Sequence, residues 1–147
     1  MIVVGVDGSE PSKDALRWAA RQAELTEAGL QVVITWSFPT TSGWEPSSYP
    51  SGIDYETDAR KVLDDVVDEV LGAARPTNLT TSVVSGHPAQ VLVEAAHDAD
   101  LLVVGSRGHG MFAGMLLGSV SEHCVHQADC PVVIVRHPSH SDQADAP

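Results

Sequence analysis

The chain has 147 residues and a formal net charge of −12, from 20 acidic and 8 basic side chains. This length suits one domain with a substantial core. A strongly acidic surface repels nucleic acids and anionic membranes, so we expect neither as a partner. No apolar run approaches the roughly 18 residues of a membrane span, and the first residues lack the basic region of a signal peptide. Two cysteines, Cys124 and Cys130, are too few for a disulfide framework, so we expect a cytoplasmic protein.

The first part of the chain alternates between strand and helix patterns. Residues 1–6 form an apolar run typical of a strand buried on both faces. The polar residues that follow can begin a helix at Ser9 or Glu10, and Gly29 fits its C-terminal cap. Residues 30–36 form a second apolar run, which predicts a second buried strand.

Residues 38–53 form the longest predicted loop before the end of the fourth strand, and they are rich in Pro, Gly and Ser. Loops of this length in compact domains are usually functional or disordered. Two interpretations stay open for this segment. It is either a surface connection or a lid whose aromatic side chains, Trp44 and Tyr49, cover a ligand.

A long helix with one acidic face is predicted over residues 53–75. Its apolar residues recur at helical spacing, and its other face is typical of a solvated surface. The acidic residues of that face are Asp58, Asp64, Asp65, Asp68 and Glu69. The remaining predicted elements are a more polar strand over 79–85, a helix opening at 86–88, a strand over 101–104, a helix from 119 and a strand over 131–136. We expect residues 1–137 to form the domain and the polar tail, 138–147, to be disordered.

The alternation of apolar strands and helices predicts an α/β fold: a doubly wound, five-stranded parallel sheet with helices on both faces. The polar third strand suits a sheet edge, which favours the order 3-2-1-4-5. Ligands bind where such an order reverses, outside the carboxyl ends of the strands. Here the reversal lies between the first and fourth strands, whose carboxyl ends are Asp7 and Gly105.

The same order places the fifth strand, 131–136, at the other edge of the sheet. An uncovered hydrophobic edge promotes association between chains. A homodimer that pairs this strand with its copy across a two-fold axis would cover it. The alternative is that the tail folds over the same edge.

The fourth strand stops at a glycine-rich loop, and loops of this kind can bring backbone N–H groups close to an anion. A P-loop is excluded because the chain contains no G-x-x-x-x-G-K-[ST] string. Residues 108–113 match the dinucleotide pattern G-x-G-x-x-A, but that pattern needs a helix that opens near Gly110. Ser119 and Glu122 instead match a capping box, which predicts that the helix starts at Ser119.

The complete string, Gly105-x2-Gly108-x9-Gly118-Ser119, resembles the nucleotide motif of the universal stress protein family at every spacing. The resemblance extends to the first strand and its acidic turn at 3–9, to 117–121 and to the last strand at 130–135. It covers nearly the whole chain up to His137. This is the most specific signal in the sequence.

The resemblance implies an ATP-binding protein of the stress response, usually a homodimer through the fifth strand. It places Asp7 by the ribose and the metal–phosphate region, where Mg²⁺ would separate the carboxylate from the phosphates. Trp36, at the end of the second strand, would contact adenine. The implied nucleotide-binding residues are Gly5, Val6, Asp7, Trp36, Val104, Gly105, Gly108, Gly118, Ser119, Val120 and Ser121.

Other interpretations of these residues stay open. Asp7 can be a turn residue that bonds its own backbone, and Ser119 can be a helix cap. Arg107 and His109 are the cationic residues of the loop, and each is more often solvated than bound to phosphate. His123 and His126 with the two cysteines make a weak zinc candidate, because the C-x2-C spacing of structural sites is absent.

Four functions are compatible with the loop. The leading hypothesis is a regulator that acts by nucleotide occupancy. The loop has no lysine and no evident base, so efficient turnover is not favoured. A slow ATPase or a protein that phosphorylates itself is the enzymatic alternative, and binding of another nucleotide such as cyclic AMP is the third. The fourth is a dimerisation scaffold without a ligand.

Overall fold

The computed structural model describes residues 1–37, 54–107 and 117–137. The elements follow the predicted alternation of strand and helix. They are β1 (Ile2–Gly5), α1 (Glu10–Thr26), β2 (Leu30–Trp36), α2 (Tyr55–Leu71), β3 (Leu79–Ser85), α3 (Pro88–Ala95), β4 (Leu101–Gly105), α4 (Ser119–Gln127) and β5 (Val132–Val135).

The five strands form one parallel sheet in the order β3-β2-β1-β4-β5, which confirms the predicted topology. β1 pairs with β2 on one side and with β4 on the other, so Ile2 lies between Leu30 and Leu101. The direction of the strand order therefore reverses between β1 and β4. Their carboxyl ends open the space in which a doubly wound sheet binds ligands.

The helices cover the two faces of the sheet as two separate hydrophobic layers. α1 and α2 pack on one face, and buried residues of α3 and α4 pack on the other. The alternation along β1 shows how one strand serves both layers, because Ile2 and Val4 contribute to the first and Val3 to the second. Burial on both faces explains why the central strands read as continuous apolar runs.

α1 begins where the sequence predicts and ends earlier than predicted. Ser9 is its N-cap, and the Ser9 side chain accepts a hydrogen bond from the Ser12 N–H. The C-cap is Glu27 and not Gly29, so the prediction of a glycine cap was wrong. Glu27 adopts the left-handed conformation with φ of 56°, which lets the Ala28 N–H donate to the carbonyl of Ala23 at 3.0 Å.

β5 lies at a free edge of the sheet within the part of the chain that the structure describes. All four of its residues, Val132–Val135, are partly exposed. β3, at the opposite edge, is more polar and is also partly exposed, as its composition predicts. The loop at 38–53 and the tail at 138–147 lie outside the described residues, and so do Trp44 and Tyr49. None of the described helices is long and apolar enough to cross a membrane.

Substitution of two leucines on α1 tests this layering. Leu16 is completely buried between α1 and the sheet, whereas Leu25 is 73% exposed. We expect Leu16→Ala to lower the free energy of unfolding by about 2–5 kcal/mol, because it leaves a cavity. Leu25→Ala is the matched control, with the same change on the same helix, and we expect a change of less than about 0.5 kcal/mol. Urea denaturation measures both, and equal losses would contradict the described packing.

Candidate functional site

A cleft of about 690 Å³ opens at the reversal of the strand order. The ends of β1, β2 and β4 form its floor, the first turns of α1 and α4 reach into it, and α2 and α3 form its walls. The residues that line it are Gly5, Val6, Asp7, Ser12, Val33, Ile34, Thr35, Asp58, Ala59, Val62, Pro88, Leu92, Val104, Gly105, Arg107, Gly118, Ser119, Val120 and Ser121.

The turn after β1 holds Asp7 at the centre of this floor. The Ser9 N–H donates to Asp7 Oδ1 at 2.9 Å, and the Ser9 hydroxyl donates to the same oxygen. Gly8 between them has φ of +86°, a conformation that favours glycine. These two hydrogen bonds agree with the interpretation of Asp7 as a turn residue. Its position in the cleft floor is compatible with a second role toward a ligand.

Ser12 supports this turn and was missed from the sequence. Its side chain is buried, and its hydroxyl accepts the Asp7 N–H at 3.2 Å and donates to the Ser9 carbonyl at 2.9 Å. A serine in the first turn of a helix is common, so the sequence contains no signal that marks this one. Its burial beside the turn gives it a role in holding Asp7 in place.

Close backbone packing forms the β4 side of the cleft. A methyl group added at Gly105 would lie 2.9 Å from the carbonyl carbon and oxygen of Pro11. These are backbone atoms of α1, so any larger residue at Gly105 would have to separate β4 from α1. After β4, the Gly118 N–H donates to the Ser106 carbonyl at 2.8 Å. This bond brings the start of α4 next to the end of β4.

The capping box predicted for α4 is not formed. α4 begins at Ser119 as predicted, but Gly118 is the N-cap and no side chain caps the helix. The Ser121 side chain also bonds at this helix end, but as a donor: its buried hydroxyl donates to the Gly118 carbonyl at 2.9 Å. Ser119 thus falls one position inside the helix, where its side chain cannot act as the N-cap. The first turn of α4, which lines the cleft, therefore presents backbone N–H groups without a side-chain cap.

Part of the cleft lining is apolar. Val33 and Ile34 contribute from β2, Val62 from α2 and Leu92 from α3. Leu92 lies very close to β1, because a methyl group added at Gly5 would be 2.6 Å from Leu92 Cδ1. The sequence does not mark these residues as part of a site, because aliphatic side chains look the same whether they face a ligand or the core.

Three charged side chains are among the described residues of the cleft. Arg107 is the one basic residue among them, and Asp7 and Asp58 are the acidic ones. The sequence analysis assigned Asp58 to a solvated helix face, and the structure adds that this side chain also borders the cleft. Within residues 1–37, 54–107 and 117–137, no group of three or more His, Cys, Asp or Glu side chains could hold a metal ion.

The residues of the weak zinc candidate lie on α4 and just after it. His123 and His126 are exposed on the helix and line a separate, smaller groove. Cys124 points into the core, where burial raises the pKa of its thiol to about 11. A buried thiol that keeps its proton is a poor metal ligand, because zinc binds the thiolate. Among the described residues, these four do not form a group that could hold a metal ion.

The structure brings most of the predicted site residues into this one cleft. Trp36 does not line it and packs instead beside the core under α1 and α2, while its neighbours on β2 face the cleft. Gly108 lies outside the described residues. The predicted residues that do line the cleft are Gly5, Val6, Asp7, Val104, Gly105, Gly118, Ser119, Val120 and Ser121.

Known proteins resemble this chain in sequence and in structure. The universal stress protein Rv2005c of Mycobacterium tuberculosis is 36% identical over 99% of this chain and 50% of its own length. The universal stress protein Rv2623 of the same organism is 38% identical over 91% of this chain and 46% of its own. The crystal structure of a universal stress protein in complex with cAMP has a TM-score of 0.68 and 31% identity, covering 92% of this chain and 94% of that one.

The chain thus spans about half the length of the curated relatives that it matches. The model of the universal stress protein family matches residues 1–136, which include strands β1–β5, helices α1–α4 and every described residue of the cleft. This chain belongs to the universal stress protein family.

Proposed function

We propose that the cleft binds an adenine nucleotide, with ATP and Mg²⁺ as its ligand, and that the protein acts as a nucleotide-occupancy regulator of the stress response in the cytoplasm. One observation supports this proposal most directly. The uncapped first turn of α4 borders a cleft that also contains Gly105 and Arg107. These features attract the phosphates of a nucleotide.

The phosphate end of the ligand fits the α4 side. N–H groups in the first turn of a helix have no acceptor within the helix, and the helix dipole favours an anion there. Gly118 and Gly105 keep the neighbouring backbone free of side chains that would block close approach. Arg107 adds a positive charge on the same side. Residues 108–116 complete this loop in the chain and lie outside the described residues.

The base end fits the apolar side. A purine ring needs flat, apolar walls on both faces, with polar groups at its edges. Val62 belongs to α2, which covers one face of the sheet, and Leu92 belongs to α3, which covers the other. Ile34 contributes from β2. The volume of the cleft, about 690 Å³, is in the range of small-molecule sites, which is about 300–1,000 Å³.

Magnesium would accompany the nucleotide. Mg²⁺ prefers oxygen ligands and is usually held by one or two carboxylates together with the phosphates of the ligand. Asp7 supplies a carboxylate in the cleft, and the hydroxyl oxygens of the neighbouring Ser9 and Ser12 are further candidate metal ligands. This set of oxygen ligands fits Mg²⁺. The ion would offset the repulsion between the carboxylate and the phosphates.

A cyclic nucleotide is the second candidate ligand. The similar universal stress protein with 31% identity was crystallised in complex with cAMP. A cyclic nucleotide shares its base and ribose with ATP and carries one phosphate, so the same cleft could hold it. The two ligands differ in the charge that the α4 side must stabilise.

Occupancy fits the described residues better than rapid turnover. Fast phosphoryl transfer needs cations on the transferred group and a residue that positions the nucleophile. Lys13, the nearest lysine in sequence to the Asp7 turn, instead forms salt bridges with Glu10 of α1 and Glu69 of α2. A slow ATPase or autophosphorylating activity is the enzymatic alternative.

We further propose that the protein is a homodimer through residues 131–136. The edge strand β5 is hydrophobic and partly exposed in the single chain. Pairing with its copy would satisfy the N–H and C=O groups on its outer side and cover its valines.

A bulky side chain at Gly118 tests the phosphate site. The φ of Gly118 is −70°, which any residue can adopt, so we expect Gly118→Val to fold. Its side chain would block the approach of phosphates, and we expect the dissociation constant for Mg-ATP to rise by about 100-fold or more, the loss of two charge-assisted hydrogen bonds. Equilibrium dialysis measures binding, and circular dichroism confirms folding. Gly29→Ala, far from the cleft, is the control; unchanged ATP binding by folded Gly118→Val would refute the loop assignment.

Turnover distinguishes the regulator from the enzyme. We expect Mg-ATP bound to the purified protein to be hydrolysed far more slowly than about 1 s⁻¹, the lower end for kinases. Release of phosphate under saturating Mg-ATP measures the rate, and the Gly118→Val variant corrects for contaminating ATPases. A rate near that of a kinase would overturn the occupancy proposal and leave nucleotide binding intact.

The mass in solution tests the dimer. One chain has a mass of 15.5 kDa, so light scattering at micromolar concentration should give about twice that value. A single species with the mass of one chain would rule out this dimer under those conditions.

A further inference from the structure

Asp58 borders the cleft although it belongs to the acidic face of α2. It shares the wall with Ala59, the next residue, and Val62, one turn later. The other acidic residues of that face, between Asp64 and Glu69, do not line the cleft. Asp58 is exposed, as those residues are, and differs from them in bordering the cleft.

The course of α2 places Asp58 on the ligand side of the sheet. α2 precedes β3, which is parallel to β2, so the helix starts at the carboxyl edge of the sheet and ends at the other edge. Val62 contacts the turn after β1, because a methyl group added at Gly8 would lie 3.1 Å from Val62 Cγ1. Asp58 is one turn closer to the start of the helix and so lies nearer the carboxyl edge, where the ligand would bind.

The position of α2 also indicates which part of a nucleotide Asp58 would meet. The phosphate site lies at β4 and α4, and β2 is two strands away, or about 10 Å at ordinary strand spacing. The residues around Asp58 in the wall, Ala59 and Val62, are apolar and suit a base. A carboxylate among them would face an edge of that base.

We propose that the Asp58 carboxylate selects adenine by accepting a hydrogen bond from the 6-amino group of the base. This inference rests on the proposed function. An ionised carboxylate only accepts hydrogen bonds. Adenine carries an N–H₂ donor at position 6, whereas guanine and hypoxanthine carry a carbonyl oxygen there. The carboxylate would therefore attract adenine and repel a 6-oxo purine in the same pose.

Comparison of ATP with inosine triphosphate isolates this contact, because the two ligands have the same ribose and phosphates. We expect the wild-type protein to bind Mg-ATP at least about tenfold more tightly than Mg-ITP, the low end for a hydrogen bond to a charged group. Asp58→Asn keeps the shape and adds an N–H donor that can bond a 6-oxo group. We expect the preference to fall to roughly twofold or less, with weaker ATP binding and stronger ITP binding.

Asp65→Asn is the matched control. It removes the same charge from the same helix at an exposed position that does not line the cleft. We expect it to keep the wild-type ratio of the two dissociation constants. Equilibrium dialysis gives the constants, and thermal unfolding shows whether each variant is folded.

Four outcomes separate the possibilities. A loss of preference in Asp58→Asn alone supports the inference. Failure of the wild-type protein to bind either nucleotide overturns the proposed function and this inference with it. ATP binding by the wild type, with an equal change for both nucleotides in Asp58→Asn, overturns the inference alone and indicates a general charge effect. If the ratio stays the same but a wild-type preference for ATP over 2′-deoxy-ATP is lost, Asp58 contacts the ribose and base selection is refuted.

Discussion

The hydrogen bond between the Gly118 N–H and the Ser106 carbonyl is the contact on which the cleft depends. It joins the end of β4 to the start of α4, although 11 residues separate the two in sequence. The Ser121 hydroxyl reinforces this junction through the Gly118 carbonyl. Because Gly118 uses its N–H in this way and has no side chain, the next turn of α4 is left to face the cleft without a cap. This one hydrogen bond thus sets the position of the first turn of α4 beside β4. It also accompanies the absence of a side-chain cap, so backbone N–H groups face the cleft.

The same cleft requires close packing around β1 and β4. Gly5 allows Leu92 to approach from one face, and Gly105 allows the backbone of Pro11 to approach from the other. Both glycines lie at the carboxyl ends of the central strands, beside the reversal of strand order. Helices on both faces therefore come closer to the sheet there than larger residues would permit. This proximity narrows the cleft into a defined space above the strand ends.

The sequence predicts the fold well because each strand is strongly apolar and each helix has a clear periodicity. Strand order also followed from one local feature, the polarity of β3. Helix ends were less predictable, since Glu27 takes the left-handed cap position in place of Gly29 and Gly118 takes the N-cap position in place of Ser119. The Gly118 cap is accompanied by a tertiary contact, the bond to Ser106, that local sequence does not contain. Trp36 illustrates the same limit, because a residue at a strand end can turn toward either a ligand or the core.

The two proposed parts of the cleft, the phosphate side and the base side, therefore differ in how well the sequence predicts them. The proposed phosphate side would use backbone groups, and these demand glycine at particular spacings, which is why a short string of residues indicates it. The proposed base side would use ordinary side chains that line the cleft, such as Val33, Ile34 and Val62, and that any α/β protein would carry at these positions. Substitutions on that side can alter ligand choice while the glycine spacing stays the same. A glycine motif in such a chain thus identifies the class of ligand, whereas the side chains of β2 and α2 would decide which member of the class is bound.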